Sequence, residues 1–271
     1  MIPDPDRVST AMRDVAQAEI LPRFRSLSAE DVREKGPGDL VTIADEAAEL
    51  VLSARLQEIL PGSIVVGEEA VAADASVLDG ITGDAPVWVV DPIDGTYNFA
   101  HGHPVFGVMV ALVQGGVPVA GWIHDPCGDR TAWVVKGQGA WMGGRRLSVA
   151  SPAALTGMKG FLSTRFYAPA VREALDARKP RVASAESLLC AAHEYLRLVA
   201  GDAHFAVYRR IMPWDHLAGT LMVEEAGGYC ARFDGTPYTA TTYEGGLLVA
   251  PDEASWRLLH ENLLKGAVPE A

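Results

Sequence analysis

The chain has 271 residues, 49% of them hydrophobic and 21% charged, with a formal net charge of −12. That length supports one large domain or two closely joined lobes, and the balance of apolar and charged residues is that of an ordinary globular protein. The acidic excess argues against nucleic acid or an anionic membrane surface as the main partner, and no apolar run reaches the length needed to cross a bilayer.

From Val8 to about Leu27 apolar residues recur at helical spacing, with Val8, Met12, Val15, Ile20 and Phe24 near one face. A second helix is expected from Thr42 to Leu60, where Ala44, Ala47, Ala48, Val51, Leu52, Leu56 and Ile59 repeat at threes and fours and Pro61-Gly62 ends the run. Strands are expected at 64–66, 87–90, 107–113, 117–124 and 130–135, with Gly115-Gly116 as a hairpin turn. Residues 136–144 read as another turn and a short strand.

After about Ser151 the pattern alternates. A strand is expected at 161–163, a helix at 168–178, a helix at 187–201 and a strand at 203–207. A buried helix at 214–226 stops at Gly227-Gly228, and a strand at 246–250 and a helix at 253–264 follow. The expectation is one compact unit with an N-terminal α+β half over residues 1–150 and a C-terminal α/β half over 151–271. Patterning alone gives only mixed α and β.

Cys127, Cys190 and Cys230 are far apart and show no metal-finger or redox spacing, so free buried thiols are expected. The first seven residues lack the basic and apolar regions of a signal peptide, and a cytoplasmic location is the expectation.

The most informative stretch is Trp88-Val89-Val90-Asp91-Pro92-Ile93-Asp94-Gly95-Thr96-Tyr97-Asn98-Phe99. An apolar strand runs into two carboxylates three residues apart and then into a Gly-Thr pair that can open a helix. Hard divalent cations want several anionic oxygens on a rigid support. Amides at a helix start favour an anion. The alternative is that Asp91 and Asp94 merely cap the next helix. Two further segments repeat the design: Ser63 to Val66 ends in Gly67-Glu68-Glu69, and Met212-Pro213-Trp214-Asp215 places another carboxylate at a helix start.

Taken in series, Gly67-Glu68-Glu69, Asp91 to Phe99, and Trp214-Asp215-His216-Leu217-Ala218-Gly219 with Glu225-Ala226-Gly227-Gly228 resemble the inositol monophosphatase family. Lys35 and Asp39-Leu40-Val41-Thr42-Ile43-Ala44-Asp45 precede them in the right order, and the resemblance runs from about Lys35 to Leu248. It implies an α/β (α+β) fold, a layered α-β-α-β-α sandwich of the sugar-phosphatase type with the site where the halves meet. It also implies a Mg2+-dependent, lithium-sensitive phosphatase acting on small phosphate esters, with two or three Mg2+ ions that Mn2+ can replace, and a homodimer.

Matching residue by residue, Glu68, Asp91, the carbonyl of Ile93, Asp94 and Asp215 correspond to the family's metal ligands, with Asp94 and Asp215 toward the second ion. Thr96 supported by Asp45, together with Glu68, corresponds to the group that orients and deprotonates the attacking water. Asp94, Gly95, Thr96 and Asp215 fall on the phosphate side. Lys35 and Glu69 lie around these ligands or on a mobile loop that helps hold a third, weaker ion, although Glu69 reads equally well as a solvated neighbour. Metal pairs suit this chemistry because they neutralise the ester oxygens, acidify a bound water and stabilise the leaving alkoxide. His216 is expected to pack or hydrogen-bond rather than act as an acid, His101 and His103 to be loop residues, and Trp214 to pack behind Asp215.

The substrate side departs from the family. Inositol-specific relatives carry a Glu seven residues before the Trp-Asp aspartate, where this chain has Tyr208, followed by Arg209 and Arg210. Leu189-Cys190-Ala191 stands in place of Gly-Ser/Thr-Ala, and Ala70 in place of a Ser. Guanidinium groups favour a second anion on the substrate over a neutral polyol, although one of two adjacent arginines on a strand should face away. Three readings follow: hydrolysis of inositol-1-phosphate or a related sugar or polyol phosphate; the same chemistry on histidinol phosphate, fructose 1,6-bisphosphate or adenosine 3′,5′-bisphosphate; or a non-catalytic metal-binding member. The last is disfavoured because Asp45, Glu68, Asp91, Asp94, Thr96 and Asp215 are all present.

Overall fold

The structure is a computed structural model that describes residues 2–36 and 38–268. Helix α1 (Pro5–Val15) has proline at its first position and Asp4 accepting the Asp6 amide, and continues through a π-helical turn at Ala16–Ile20. A hairpin of β1 (Val32–Gly36) and β2 (Asp39–Thr42) feeds α2 (Ile43–Ile59). Thr42 and Asp45 close the start of α2 as a capping box. Strand β3 (Ile64–Gly67) passes directly into the short α3 (Glu68–Ala73), and β4 (Val87–Asp94) turns through Gly95 into α4 (Thr96–Ala100).

The antiparallel run of β5 (Gly107–Gln114), β6 (Val117–Asp125), β7 (Arg130–Val135), β8 (Gly139–Met142) and β9 (Arg145–Arg146) completes a seven-stranded sheet. Its order is β3-β4-β5-β6-β7-β8-β9, with β3 parallel to β4. The later elements are β10 (Lys159–Leu162), α5 (Pro169–Asp176), β11 (Ser184–Glu186), α6 (Ala191–Val199), β12 (Phe205–Tyr208), α7 (Pro213–Glu225), β13 (Tyr229–Arg232), β14 (Leu247–Ala250) and α8 (Glu253–Leu259). Their strands form a second sheet in the order β11-β10-β12-β14-β13.

Side-chain alternation along β4 explains the layering. Trp88 and Val90 face one way, packing with Val110, Leu112 and Trp122 against Met12 of α1 and Leu52 and Leu56 of α2. Val87 and Val89 face the other way with Met109 and Ala111, against Tyr195 of α6 and Leu217 and Leu221 of α7. The same two helices meet Phe161, Ala206 and Val249 of the second sheet. The far side of that sheet, Leu162, Val207 and Leu248, is covered by Leu175 of α5 and by Trp256 and Leu259 of α8. The result is the α-β-α-β-α sandwich. A sheet covered on both faces requires apolar residues on both, and every residue of β4 is buried.

Several boundaries differ from expectation. The first helix begins at Pro5 rather than Val8, and beyond Val15 it becomes π-helical to Ile20 before a turn. The helix expected at 187–201 is confined to Ala191–Val199 because Leu189 takes a left-handed φ of 53° and Cys190 is extended, so a helix cannot pass through them. The β1–β2 hairpin and strand β13 were not signalled by periodicity. Cys190 and Cys230 are buried as expected, but Cys127 is exposed in the turn between β6 and β7.

Candidate active site

Strand β4 stays in register with β5 to the pair Asp91–Met109 and regains it only at Asp94–Gly107. The irregularity at Pro92-Ile93 breaks the two-residue alternation that would send side chains three apart to opposite faces. Asp91 and Asp94 converge instead. Each places a carboxylate oxygen within 4.8 Å of the other's and of one from Asp215, which arrives from the first turn of α7 on the far side of the cleft.

The Asp94 Oδ2 atom is held from the start of α6, accepting the Ala192 amide at 2.6 Å and the Cys190 thiol at 3.0 Å. By contrast, Asp91 Oδ1 is buried with no hydrogen-bond partner. An orphaned buried carboxylate oxygen is costly unless a cation meets it. Burial, followed by the charges of Glu68, Asp94 and Asp215, holds the Asp91 pKa well above the usual carboxylate range. Burial and then Glu68 and Asp94 do the same to Asp215. Burial also raises Glu68 and Asp94. Four desolvated acids with one unpartnered oxygen are a donor set that fits a hard divalent cation, which takes oxygen ligands.

Glu68 is the first residue of α3, and Lys35 Nζ reaches it from β1 at 2.6 Å while also bonding Glu69 Oε1 at 2.9 Å. Burial pulls the Lys35 pKa down, but the two glutamates outweigh it and leave it raised. Glu69 is thus tied into the cluster rather than solvated. Burial and then the neighbouring Glu68 charge push its pKa up to about 7.

Beyond Asp94 the chain turns at Gly95 with φ 88°, where a side chain would meet the Val105 carbonyl at 3.0 Å. That turn brings the Thr96 hydroxyl within 3.1 Å of Asp45 Oδ1 and 2.9 Å of the Ile93 carbonyl. Asp45 is buried at the N-terminus of α2, its second oxygen accepting the Thr42 amide and hydroxyl. Burial drives its pKa up to about 7 against the opposing pull of the Thr42 hydrogen bond. A carboxyl group so placed can hold or release a proton near neutrality.

Glu68, Asp91, Asp94, Thr96 and Asp215 open onto a cavity of about 190 Å3 that is also lined by Tyr208, Arg209 and Arg210. Strand β12 ends at Tyr208, so strand alternation does not govern the two arginines, and both line the cavity. Arg210 Nη1 bonds Asp39 Oδ2 at 3.0 Å, and its guanidinium lies over Phe166. Tyr208 stacks on Tyr195 and packs at a tilt against His216, with the buried Glu194 carboxyl beside its hydroxyl. His216 Nε2 faces the Arg210 carbonyl at 2.9 Å. That nitrogen must therefore carry the hydrogen, which leaves Nδ1 to accept from the Tyr195 hydroxyl at 3.0 Å. Burial drops the His216 pKa to about 4, so the ring is neutral and braces the segment that carries Arg210. Trp214 is buried in the central core, and His101 and His103 are exposed after α4.

Three residues near the site escaped the sequence reading. Arg165 donates to the Gly38 carbonyl at 2.8 Å and lies over the Tyr97 ring, bridging the β1–β2 hairpin to the cavity rim. Nothing in the sequence sets this arginine apart. Glu194 and Glu49 carried a usable signal: each is an acid within the apolar face of a helix, beside Tyr195 and Ala48 respectively.

The sequence profile of the inositol monophosphatase family matches residues 6–269. The chain belongs to the inositol monophosphatase family. It is 32% identical over 203 residues to a Thermotoga maritima protein named fructose-1,6-bisphosphatase/inositol-1-monophosphatase, covering 75% of each chain. It is 30% identical over 217 residues to the Bacillus subtilis inositol-1-monophosphatase, covering 76% of this chain and 77% of that one. Among solved structures it superposes on an IMPase from Thermotoga maritima with a TM-score of 0.81 at 28% identity, covering 97% and 95% of the two chains. The family is one of phosphatases, and the acidic cleft between the two sheets of this member lies where β4, α3 and α7 meet.

Proposed function

We propose that this protein is a metal-dependent phosphomonoesterase for small phosphate esters, inositol-1-phosphate or a related sugar or polyol phosphate foremost. The observation that carries the reading is the unpartnered Asp91 oxygen set among Glu68, Asp94 and Asp215, with the Thr96–Asp45 pair at its edge. Glu68, Asp91, the Ile93 carbonyl, Asp94 and Asp215 would hold Mg2+, two or three ions per site, with Mn2+ as a substitute. When bound, these ions supply charge neutralisation at the ester oxygens and acidify water.

The chain's own residues supply the rest. With its one hydrogen donated to Asp45, the Thr96 oxygen is left to accept from a water and so orient it. Asp45 takes the proton through Thr96, helped by its raised pKa, and Glu68 shares the water on its other side. The amides of Gly95 and Thr96 receive the phosphate. Water is excluded from the rear by the packed Tyr195, Tyr208 and His216 rings.

A second reading is favoured by the cavity rim. Arg165, Arg209 and Arg210 all line it, and so does Tyr208, at the position where the sequence resemblance implies a carboxylate in inositol-specific enzymes. Esters with a second anion, such as fructose 1,6-bisphosphate or adenosine 3′,5′-bisphosphate, fit such a rim. Histidinol phosphate belongs in the same comparison. The test is phosphate release from these four esters with Mg2+, before and after chelation. Full activity in EDTA overturns the metal-dependent reading, and no activity on any small ester overturns the phosphatase reading.

A further inference from the structure

The fold contains a buried acid with no place in the chemistry above. Glu49 lies one turn after Asp45 on α2 and is 7% exposed. Its Oε2 accepts the Glu69 amide and its Oε1 the Ala70 amide, both at 2.8 Å. These amides belong to the first turn of α3, the helix that begins with Glu68. First-turn amides need an acceptor, and the residue before the helix normally supplies one from its own side chain. Here that residue is Gly67, which has none. The reason is steric: a Cβ on Gly67 would lie 2.2 Å from the Glu49 carboxyl carbon, although its φ of −101° suits any residue. Glu49 and Gly67 are therefore a matched pair in which a carboxylate from α2 caps α3 through the space a side chain would fill.

The consequence for the site follows from the spacing of Asp45 and Glu49, which residues four apart share on one helix face. Asp45 fixes Thr96, and Glu49 fixes the peptide that carries Glu68. We propose that Glu49 is a positioning residue for the metal site, clamping the Gly67–Glu68–Glu69 turn so that α2 sets Glu68 and Thr96 in one frame. This rests on the metal-dependent reading above. Burying a carboxylate against two amides is not the cheapest way to pack α2 on β3, and the geometry gives it a purpose that packing alone does not. Partners that orient ligands in this way contribute about 10- to 100-fold to metal affinity when removed by substitution.

The experiment measures Mn2+ binding directly, by titration of the free-ion electron paramagnetic resonance signal, on the full-length protein and its variants. Glu49→Gln keeps the size but offers one acceptor, and its NH2 opposes a backbone amide. It should raise the Mn2+ Kd by about 10- to 100-fold, while KM for the ester at saturating metal stays within about twofold. Gly67→Ala removes no carboxylate from the chain but displaces that of Glu49, and should weaken binding similarly. Combining it with Glu49→Ala should add nothing further, since the pair acts as one unit. Glu46→Gln, an exposed position on the same helix, should leave the Kd unchanged. A Kd within twofold of wild type for Glu49→Gln, or for Gly67→Ala should the first variant not fold, overturns the proposal, whatever the change in melting temperature. A wild-type protein that binds no Mn2+ overturns the metal-dependent reading and this inference with it.

Discussion

Thr96 at the start of α4 and Asp45 in the first turn of α2 meet across 3.1 Å, joining two helix starts that lie 51 residues apart in the chain. The second Asp45 oxygen is taken by Thr42, so the carboxyl cannot swing away from Thr96 without breaking the cap of α2. We expect Asp45→Asn and Thr96→Ala to lower kcat by about 10²- to 10⁴-fold, the range for loss of a proton acceptor, with KM changed only a few-fold. Thr96→Ser keeps the hydroxyl and should recover most of the rate. A Ser variant as slow as the Ala variant would remove the hydroxyl from the mechanism.

The crowding of Glu68, Asp91, Asp94 and Asp215 carries a stability cost that the metal-free protein bears alone. Asp91→Asn should therefore melt at a higher temperature than wild type in EDTA while losing activity by orders of magnitude. Wild type should gain melting temperature on adding Mg2+, and the variant should gain little. Equal melting temperatures in EDTA would show that repulsion among these acids is already relieved. Lithium, expected from family membership, should inhibit uncompetitively; this is checked by varying substrate at fixed millimolar lithium.

Specificity should divide between the adjacent arginines. Arg210 is engaged by Asp39, whereas no such carboxylate pairs with Arg209 among the described residues. Arg209→Ala should therefore lower kcat/KM for fructose 1,6-bisphosphate by about 10- to 100-fold, the worth of one charge-assisted hydrogen bond. It should leave inositol-1-phosphate within a few-fold. Arg210→Ala should act on both esters by loosening the rim. A preference for inositol-1-phosphate unaffected by either substitution would remove the second-anion reading.

Glu194 gives a pH signature distinct from catalysis. Burial raises its pKa from an ordinary 4.5 to about 8. The folded carboxyl keeps its proton to about pH 8 while the unfolded one loses it near 4.5, so its stabilising contribution is full below pH 4.5 and is lost as pH rises to about 8. Glu194→Gln can still accept the Leu188 amide and has no such dependence. Relative to wild type it should gain stability between pH 5 and pH 8, by roughly a few kcal/mol. Urea unfolding at both values checks this, and an unchanged difference would show that Glu194 ionises normally in the folded protein.

The layered fold was legible in Val87 to Val90, Gly107 to Val113 and the apolar helices because burial on both faces demands continuous apolar runs, which a sequence displays directly. The convergence of Asp91 and Asp94 was suggested by Pro92 between them, but it depends on the lost register against β5, a property of two strands together. The β1–β2 hairpin left little apolar trace because β1 is built largely from the charged Arg33, Glu34 and Lys35 and is only partly buried, and Leu189 broke the expected helix through a left-handed conformation that composition does not announce.

What the sequence determined by itself was the inventory of acids at the ends of elements, since a strand or helix boundary is written in local residues such as Pro92, Gly95 and Pro213. The tertiary structure decided which charges face one another. Arg210 could have met substrate alone but meets Asp39 from a hairpin 171 residues away, and Glu49 could have been a surface acid but caps α3. Helical spacing fixes the direction of a side chain only about its own axis. The partner it meets is set by how two separately stable elements pack, and no local pattern contains that.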